Sequence, residues 1–337
     1  MLAASLQFTI SAAIIILAGS FLTKYADAIA EVTGLGRLLI GSILLAATTS
    51  LPELTVDISA VRQGHVDLAV GDLLGSSLMN LLILALLDLS SRSRGKMLSK
   101  QAAAHALSGS LSVALTALVG VGLFTGRALE AYSWWGISPV VLLVGIAYVF
   151  GVRLVYLDQR IAAQSEAASE PAVVAVAAST SHLTLRHALL GFGACAIVIV
   201  IAGPYLADAG GQIAELSGLG STFVGTTLVA LCTSLPELVS MLAALRIGAV
   251  DLAIGNVFGS NAFNMVLLLP LDLIEAKPLL AIVSRDHIIT CLAAILGTQV
   301  VIMGQLYRVE ARVHLIEPDA WLVIAIVITA FALVYYL

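Results

Sequence analysis

Two copies of one short sequence, Thr49-Ser50-Leu51-Pro52-Glu53 and Thr233-Ser234-Leu235-Pro236-Glu237, decide how this chain folds. Shifting the sequence against itself by 184 residues aligns 41–89 with 225–273 without a gap, and 24 of these 49 positions are identical. Chance does not produce that agreement. The chain therefore carries an internal repeat, and each copy holds an acidic residue directly after a proline.

The composition around the repeat is that of a membrane protein. Hydrophobic residues make up 60% of the 337 residues and charged residues 11%, with a mean hydropathy of +1.05, whereas soluble domains contain about 25% charged residues. Because about 20 apolar residues cross a bilayer as a helix, the sequence predicts an all-α polytopic membrane protein with ten transmembrane helices. These spans centre near residues 15, 48, 78, 114, 144, 197, 232, 262, 294 and 328.

The spans fall into two groups of five. A polar stretch at 157–184 predicts a cytoplasmic linker between a first five-helix repeat at 1–156 and a second at 185–337. An odd number of spans turns the second copy over in the membrane, so the halves form inverted repeats. Transporters built in this way bind their substrate near the bilayer midplane, where discontinuous helices of the two repeats meet.

The prolines predict the helix breaks. Pro52 and Pro236 have no amide hydrogen, so the carbonyls of Thr48 and Cys232, four residues earlier, lose their helical donors. Backbone carbonyls inside a bilayer need another partner, and a cation is one.

The acidic residues indicate which charged side chains would lie next to that cation. An ionised carboxylate in the bilayer costs several kcal/mol unless it is paired, and no Lys or Arg lies near Glu53 or Glu237 along either span. Two facing glutamates would repel each other unless a divalent cation or protons neutralised them. Calcium binds about six to eight oxygens, which two glutamates and freed carbonyls begin to supply.

Neutral oxygens of the kind that suit sodium accompany the acids. Glycines spaced by four, Gly71 with Gly75 and Gly255 with Gly259, would let a neighbouring backbone approach and press a second pair of helices against the glutamates. The hydroxyl and amide side chains are Thr49, Ser50, Ser76, Asn80, Thr233, Ser234, Ser260 and Asn264.

The paired Ser-Leu-Pro-Glu and Gly-Ser-x-x-x-Asn motifs resemble the two alpha repeats of the sodium/calcium exchanger branch of the cation/calcium antiporter superfamily. The resemblance implies alternating access, in which the sodium gradient drives calcium transport through one site. It implies calcium ligands at Glu53, Glu237 and the backbone carbonyls of Thr49 and Thr233. It also implies sodium ligands at Ser50, Ser76, Ser234, Ser260 and the carbonyls of Ala46 and Ala230, with Asn80 and Asn264 lining the central site.

The chain departs from the family pattern close to this site. Asp72 and Ser77 replace common asparagines, and Asp57 follows Glu53 by one turn although its counterpart in the second copy is Met241. Further departures are Thr48, Cys232, Asp88 and Asp272. These differences leave the ion set, the stoichiometry and proton coupling open. Asp57 could face the ion pathway or the outer mouth, whereas Asp67 and Asp251 are expected to cap helices.

Other functions remain as alternatives. The closest are a divalent cation/proton antiporter and a sodium-driven exchanger of another divalent cation such as magnesium. An ion channel is disfavoured by the inverted repeat, and an intramembrane hydrolase by the lack of a base beside the motifs. We therefore expect no enzyme activity and no cofactor. The expected partners are inorganic cations and the lipid bilayer, with no nucleic acid and no obligate protein partner.

The basic residues predict the orientation. If the amino terminus is outside, only Arg62, Arg127, Lys277 and Arg285 of the 16 Lys and Arg lie in extracytoplasmic loops, as the positive-inside rule requires. We therefore expect a multi-pass protein of a prokaryotic plasma (inner) membrane with both termini extracytoplasmic. Scattered Cys and His residues predict neither disulfides nor a zinc site.

Overall fold

A computed structural model describes residues 1–33, 46–90, 105–134, 136–169, 184–246, 250–306 and 318–336. Its helices are α1 Leu2–Thr33, α2 Leu51–Arg62, α3 Val66–Ser90, α4 Ala106–Leu129, α5 Pro139–Ser169, α6 Leu185–Ser217, α7 Ser221–Thr233, α8 Leu235–Arg246, α9 Val250–Ile274, α10 Leu279–Ile282, α11 His287–Leu306 and α12 Pro318–Tyr336. A short 3₁₀ turn, Glu130–Tyr132, follows α4.

Eight helices of the described residues are long and apolar enough to cross a membrane, and α7 with α8 forms a further pair bent by 42°. The chain is thus an all-helical, multi-pass membrane protein, as its composition predicts. The span expected near residue 48 begins among residues 34–45, outside the described part. The number ten for the transmembrane helices therefore stays a prediction.

The helices differ in how deeply they lie in the molecule. In the most apolar 18-residue stretch of α3, 83% of the residues are buried, whereas in the corresponding stretches of α5 and α6 the buried share is 22%. Helix α3 contacts α2, α7, α9, α11 and α12, whereas α1 packs mainly along α6. The two repeated motifs therefore meet around the most deeply buried helix.

Each repeated motif interrupts a helix at the same place. Residues 46–49 are helical, Ser50 forms a turn, and α2 starts at Leu51 with Pro52 in its first turn. In the second copy α7 ends at Thr233, Ser234 forms the turn, and α8 starts at Leu235. Proline is favoured at the first positions of a helix because its missing amide hydrogen has no partner there in any case. The predicted discontinuity is confirmed.

Glycines allow α3 and α7 to touch through their backbones. A Cβ atom on Gly75 would collide with the backbone of Thr226, and one on Gly225 with the carbonyl of Leu68. The contact lies at a wide π-helical turn, Gly225–Val229. The predicted close approach is confirmed for Gly71 and Gly75, whereas Gly255 faces the ring of His105.

Helix α1 contacts both motif prolines at one residue. A Cβ atom on Gly19 would lie 2.5 Å from Cγ of Pro236 and 3.7 Å from Cγ of Pro52. Only a glycine fits there without displacing a proline ring. The two helix breaks are therefore close to each other in space.

The predicted linker begins as a helix. Helix α5 continues to Ser169, so the first part of 157–184 extends this helix, and 170–183 lie outside the described residues. The division into two five-helix repeats stays a prediction.

Candidate cation site

Both predicted glutamates lie inside the helical core. Glu53 in α2 and Glu237 in α8 are fully buried, and none of their four carboxylate oxygens accepts a hydrogen bond from the residues that the structure describes. They are close enough to interact electrostatically. The hydroxyl of Ser76 lies beside Glu53, and that of Thr49 beside Glu237.

Hydroxyl groups connect the two copies crosswise. The Oγ1 atom of Thr49 is 3.3 Å from Oγ of Ser260, and Oγ1 of Thr233 is 3.3 Å from Oγ of Ser76. In each pair the threonine stands beside a helix break and the serine comes from the glycine-rich helix of the other copy. The sequence could predict these hydroxyls but not their crossed pairing.

Asparagines connect α3 with α9. The Asn80 amide donates to Oδ1 of Asn261 at 2.9 Å, and the Asn261 amide donates to the Ser77 carbonyl at 3.2 Å. The Ser50 hydroxyl donates to Oδ1 of Asn264 at 3.0 Å. Oδ1 of Asn80 and Nδ2 of Asn264 have no hydrogen-bond partner among the residues described. Asn261 was not a predicted site residue, although as the counterpart of Ser77 it lies within the glycine-serine motif.

All residues of the predicted site are buried. Their side chains have relative exposures of 1% or less for Ala46, Thr49, Ser50, Glu53, Ser76, Asn80, Ala230, Thr233, Ser234, Glu237, Ser260 and Asn264. The Ala46 carbonyl accepts from the Thr49 hydroxyl at 3.2 Å, and the Ala230 carbonyl from that of Thr233 at 3.4 Å. Their division into calcium and sodium ligands stays a prediction.

A second pair of acids adjoins the glutamates. Asp57 and Asp72 are fully buried, and their carboxyl groups face each other while lying close to Glu53. Burial places Asp57 in the interior and not at an exposed mouth. Asp72 accepts a hydrogen bond of 2.9 Å from the Thr233 hydroxyl, so this pair also reaches the second copy.

Two other acids have structural partners. The expectation that Asp67 caps a helix is wrong: its Oδ1 accepts from the Ser284 amide at 2.7 Å and lies 3.1 Å from Nε2 of His287, across the fold. Asp272, near the end of α9, accepts from the Ser138 and Leu279 amides. The side chain of Asp251 lies outside the described part of the structure, so its expected role as a cap stays a prediction.

The site has the chemistry of a hard cation. Its donors are carboxylate, hydroxyl and amide oxygens, which suit sodium, calcium and magnesium, with no sulfur or imidazole in the pattern. Within the described residues no three His, Cys, Asp or Glu side chains converge closely enough to hold a metal by themselves. A bound cation would therefore need the neutral oxygens as well as the two glutamates.

Known proteins are similar in sequence to this chain over most of its length. The family model described as "Sodium/calcium exchanger protein" matches residues 4–152 and 187–337. The chain is 27% identical over 300 residues to the inner membrane protein YrbG of Escherichia coli, with 88% of each chain covered. It is 27% identical over 277 residues to the putative antiporter CaxA of Alkalimonas amylolytica, covering 80% and 81%.

Solved structures share its fold. A structure of the sodium-calcium exchanger NCX_Mj matches with a TM-score of 0.59 at 19% identity, covering 98% of this chain and 97% of that one. The structure of native YfkE matches with a TM-score of 0.67 at 16% identity, covering 98% and 92%. Since the family model covers both halves of the sequence, including both acidic motifs, the chain belongs to the sodium/calcium exchanger protein family.

Proposed function

We propose that this antiporter exchanges sodium for calcium by alternating access, through one cation site at the bilayer midplane formed by Glu53 and Glu237. The observation that carries the proposal is the burial of both carboxylates without a hydrogen-bond donor among the described residues. A buried charge without a partner destabilises the fold by several kcal/mol. A divalent cation between the glutamates would offset that cost for both at once.

Neutral groups around the glutamates fit the second ion. The crossed pairs of Thr49 with Ser260 and of Thr233 with Ser76 supply hydroxyl oxygens on both sides. The Ala46 and Ala230 carbonyls lie next to these threonines. Sodium would use the hydroxyls and carbonyls together with the same glutamates, so sodium and calcium would compete. Competition for shared ligands is what makes exchange obligatory.

The symmetry of the breaks supports alternating access. Both motifs interrupt their helices at the equivalent serine, and both prolines pack against Gly19. In our proposal the copies are inverted repeats within a ten-helix bundle, so each break opens toward a different membrane face. The basic residues favour termini on the extracytoplasmic side, and reporter fusions at each terminus would test that orientation.

The test is calcium uptake into sodium-loaded proteoliposomes, with and without an outward sodium gradient. We expect gradient-driven uptake by the unchanged protein and strongly reduced uptake, at calcium concentrations that half-saturate the unchanged protein, by Glu53→Gln and by Glu237→Gln, since a neutral amide cannot offset the calcium charge. Glu215→Gln is the control, because Glu215 is exposed near the end of α6 and its loss leaves the site intact.

Two results would overturn the sodium/calcium assignment. Calcium flux that follows an imposed pH gradient and ignores sodium would identify a divalent cation/proton antiporter. Sodium-driven flux of magnesium in place of calcium would identify an exchanger of another divalent cation. Uptake that survives both glutamine substitutions would remove the glutamate pair from the mechanism.

A further inference from the structure

The acids Asp57 and Asp72 are placed as a pair by two neighbouring helices. Asp57 follows Glu53 by one turn of α2, and Asp72 precedes Ser76 by one turn of α3. Because α2 and α3 run in opposite directions from the loop near Gly64, these two positions face each other. Both side chains have 0% relative exposure.

The oxygens of this pair lack donors. Within the described part of the chain, no group donates a hydrogen bond to either carboxylate oxygen of Asp57 or to Oδ2 of Asp72. Oδ1 of Asp72 accepts from the Thr233 hydroxyl at 2.9 Å and, more weakly, from Ser76 at 3.4 Å. Asp57 is thus a fully buried carboxyl group that faces another carboxyl group, an arrangement that needs either a shared proton or a cation between the two.

If all four central acids are ionised, their charge is larger than one calcium ion offsets. Glu53, Glu237, Asp57 and Asp72 are buried carboxyl groups, and their electrostatic neighbours are one another and hydroxyl groups. One divalent cation between the glutamates would leave the two facing aspartates to share a proton or to bind a second cation. Two ionised carboxylates that face each other away from water repel strongly.

We propose that Asp57 and Asp72 bind a second divalent cation, next to the glutamate pair, with the hydroxyls of Thr233 and Ser76 as neutral ligands. The inference rests on the proposed function, because it assumes that the first cation sits between Glu53 and Glu237. Thr233 would serve both positions, since it stands beside the helix break and also contacts Asp72.

The second copy lacks an equivalent position. The counterparts of Asp57 and Asp72 are Met241 and Asn256, which are also buried, and the Asn256 amide has no hydrogen-bond partner in the described segments. A thioether and a neutral amide attract a divalent cation far less than two carboxylates. The additional cation therefore lies on one side only of the glutamate pair, toward the α2–α3 loop.

The experiment counts calcium ions bound per chain by equilibrium dialysis of the purified full chain, with radioactive calcium at pH 8 in sodium-free buffer. We expect two ions for the unchanged protein and one for the double variant Asp57→Asn/Asp72→Asn. Asp67→Asn is the matched control, since it removes an acid from the same helix but away from the pair, and it should keep two. A single retained ion in the double variant also shows that it is folded.

The outcomes separate the two proposals. One ion in both the unchanged protein and the aspartate double variant overturns the second position and leaves the glutamate site standing. A count that stays at two in the double variant overturns it as well. No calcium bound by the unchanged protein, or a count unaffected by Glu53→Gln/Glu237→Gln, overturns the proposed function itself.

Discussion

The two copies of the motif share their centre and differ one helical turn away from it. Each contributes a glutamate, a threonine and a serine to the buried cluster, and the threonine of each pairs with the serine of the other. One turn out, the first copy has Asp57 and Asp72 where the second has Met241 and Asn256. The charge of the site is therefore off-centre in a scaffold that is otherwise duplicated.

The difference shows which positions tolerate asymmetry. In the proposed site, a cation between the copies needs an acid and hydroxyls from each side, and these residues are the same in both. The positions one turn away differ in charge between the copies, although Asp72 still reaches Thr233 of the second copy. Substitutions made in parallel in the two copies can measure what that asymmetry does.

The largest effect is expected from the glutamates themselves, measured as calcium affinity. Glu237→Gln should weaken binding about 100-fold, which corresponds to about 2.7 kcal/mol, since the counterpart of Asp57 one turn beyond Glu237 is the neutral Met241. Glu53→Gln should weaken it only about 10-fold, or about 1.4 kcal/mol, because Asp57 remains beside it, whereas Asp72 lies close to both glutamates. Equilibrium dialysis of both purified variants gives the comparison.

Glu215→Gln again serves as the unaffected control for these affinities. Equal losses for Glu53→Gln and Glu237→Gln would contradict the view that the aspartates contribute to cation binding in the first half.

A smaller effect is expected from the glycines that set the helix packing. Gly71→Ala should lower stability by about 1 to 3 kcal/mol, because the new Cβ would lie 3.0 Å from the backbone of Thr222 and of Thr226. Its counterpart Gly255→Ala faces a side chain, the ring of His105, which can move more cheaply. The apparent melting temperature of each purified variant checks this, and a larger loss for Gly255→Ala would contradict it.

The smallest effect is expected from the threonine hydroxyls. Thr233→Val should reduce stability by about 1 kcal/mol or slightly more, since it deprives the Asp72 carboxylate of its 2.9 Å donor. Thr49→Val loses a weaker contact, 3.3 Å to Ser260, and should cost about 0.5 kcal/mol. Denaturation midpoints of the two isosteric variants measure the difference, and a reversed order would show that Asp72 does not depend on Thr233.

Much of the fold follows from the sequence because the determinants are local. Apolar length predicts spans, Pro52 and Pro236 predict the breaks, and Gly71 with Gly75 predicts the close contact with α7. The burial of Glu53 and Glu237 follows from their position inside apolar spans. Each of these features needs only the neighbouring residues of the chain.

The remaining features depend on contacts between distant parts of the chain. Asp67 has the sequence context of a helix cap, yet its partners are Ser284 and His287, more than 200 residues away. The crossed hydroxyl pairs and the bridge from Asn80 to Asn261 join different copies. Asp57 and Asp72 were visible as departures from the family pattern, but only the packing of α2 on α3 shows that they form a pair.

The position of Gly19 has a mechanical consequence. The missing side chain at Gly19 leaves space on α1 for the ring of Pro236, next to the ring of Pro52. Both helix breaks therefore pack against the same point of α1. A shift of α1, together with α6 along which it packs, would change the packing of both breaks at the same time. Opening of the proposed pathway on one membrane face would then be coupled to closing on the other through the contact at this one glycine.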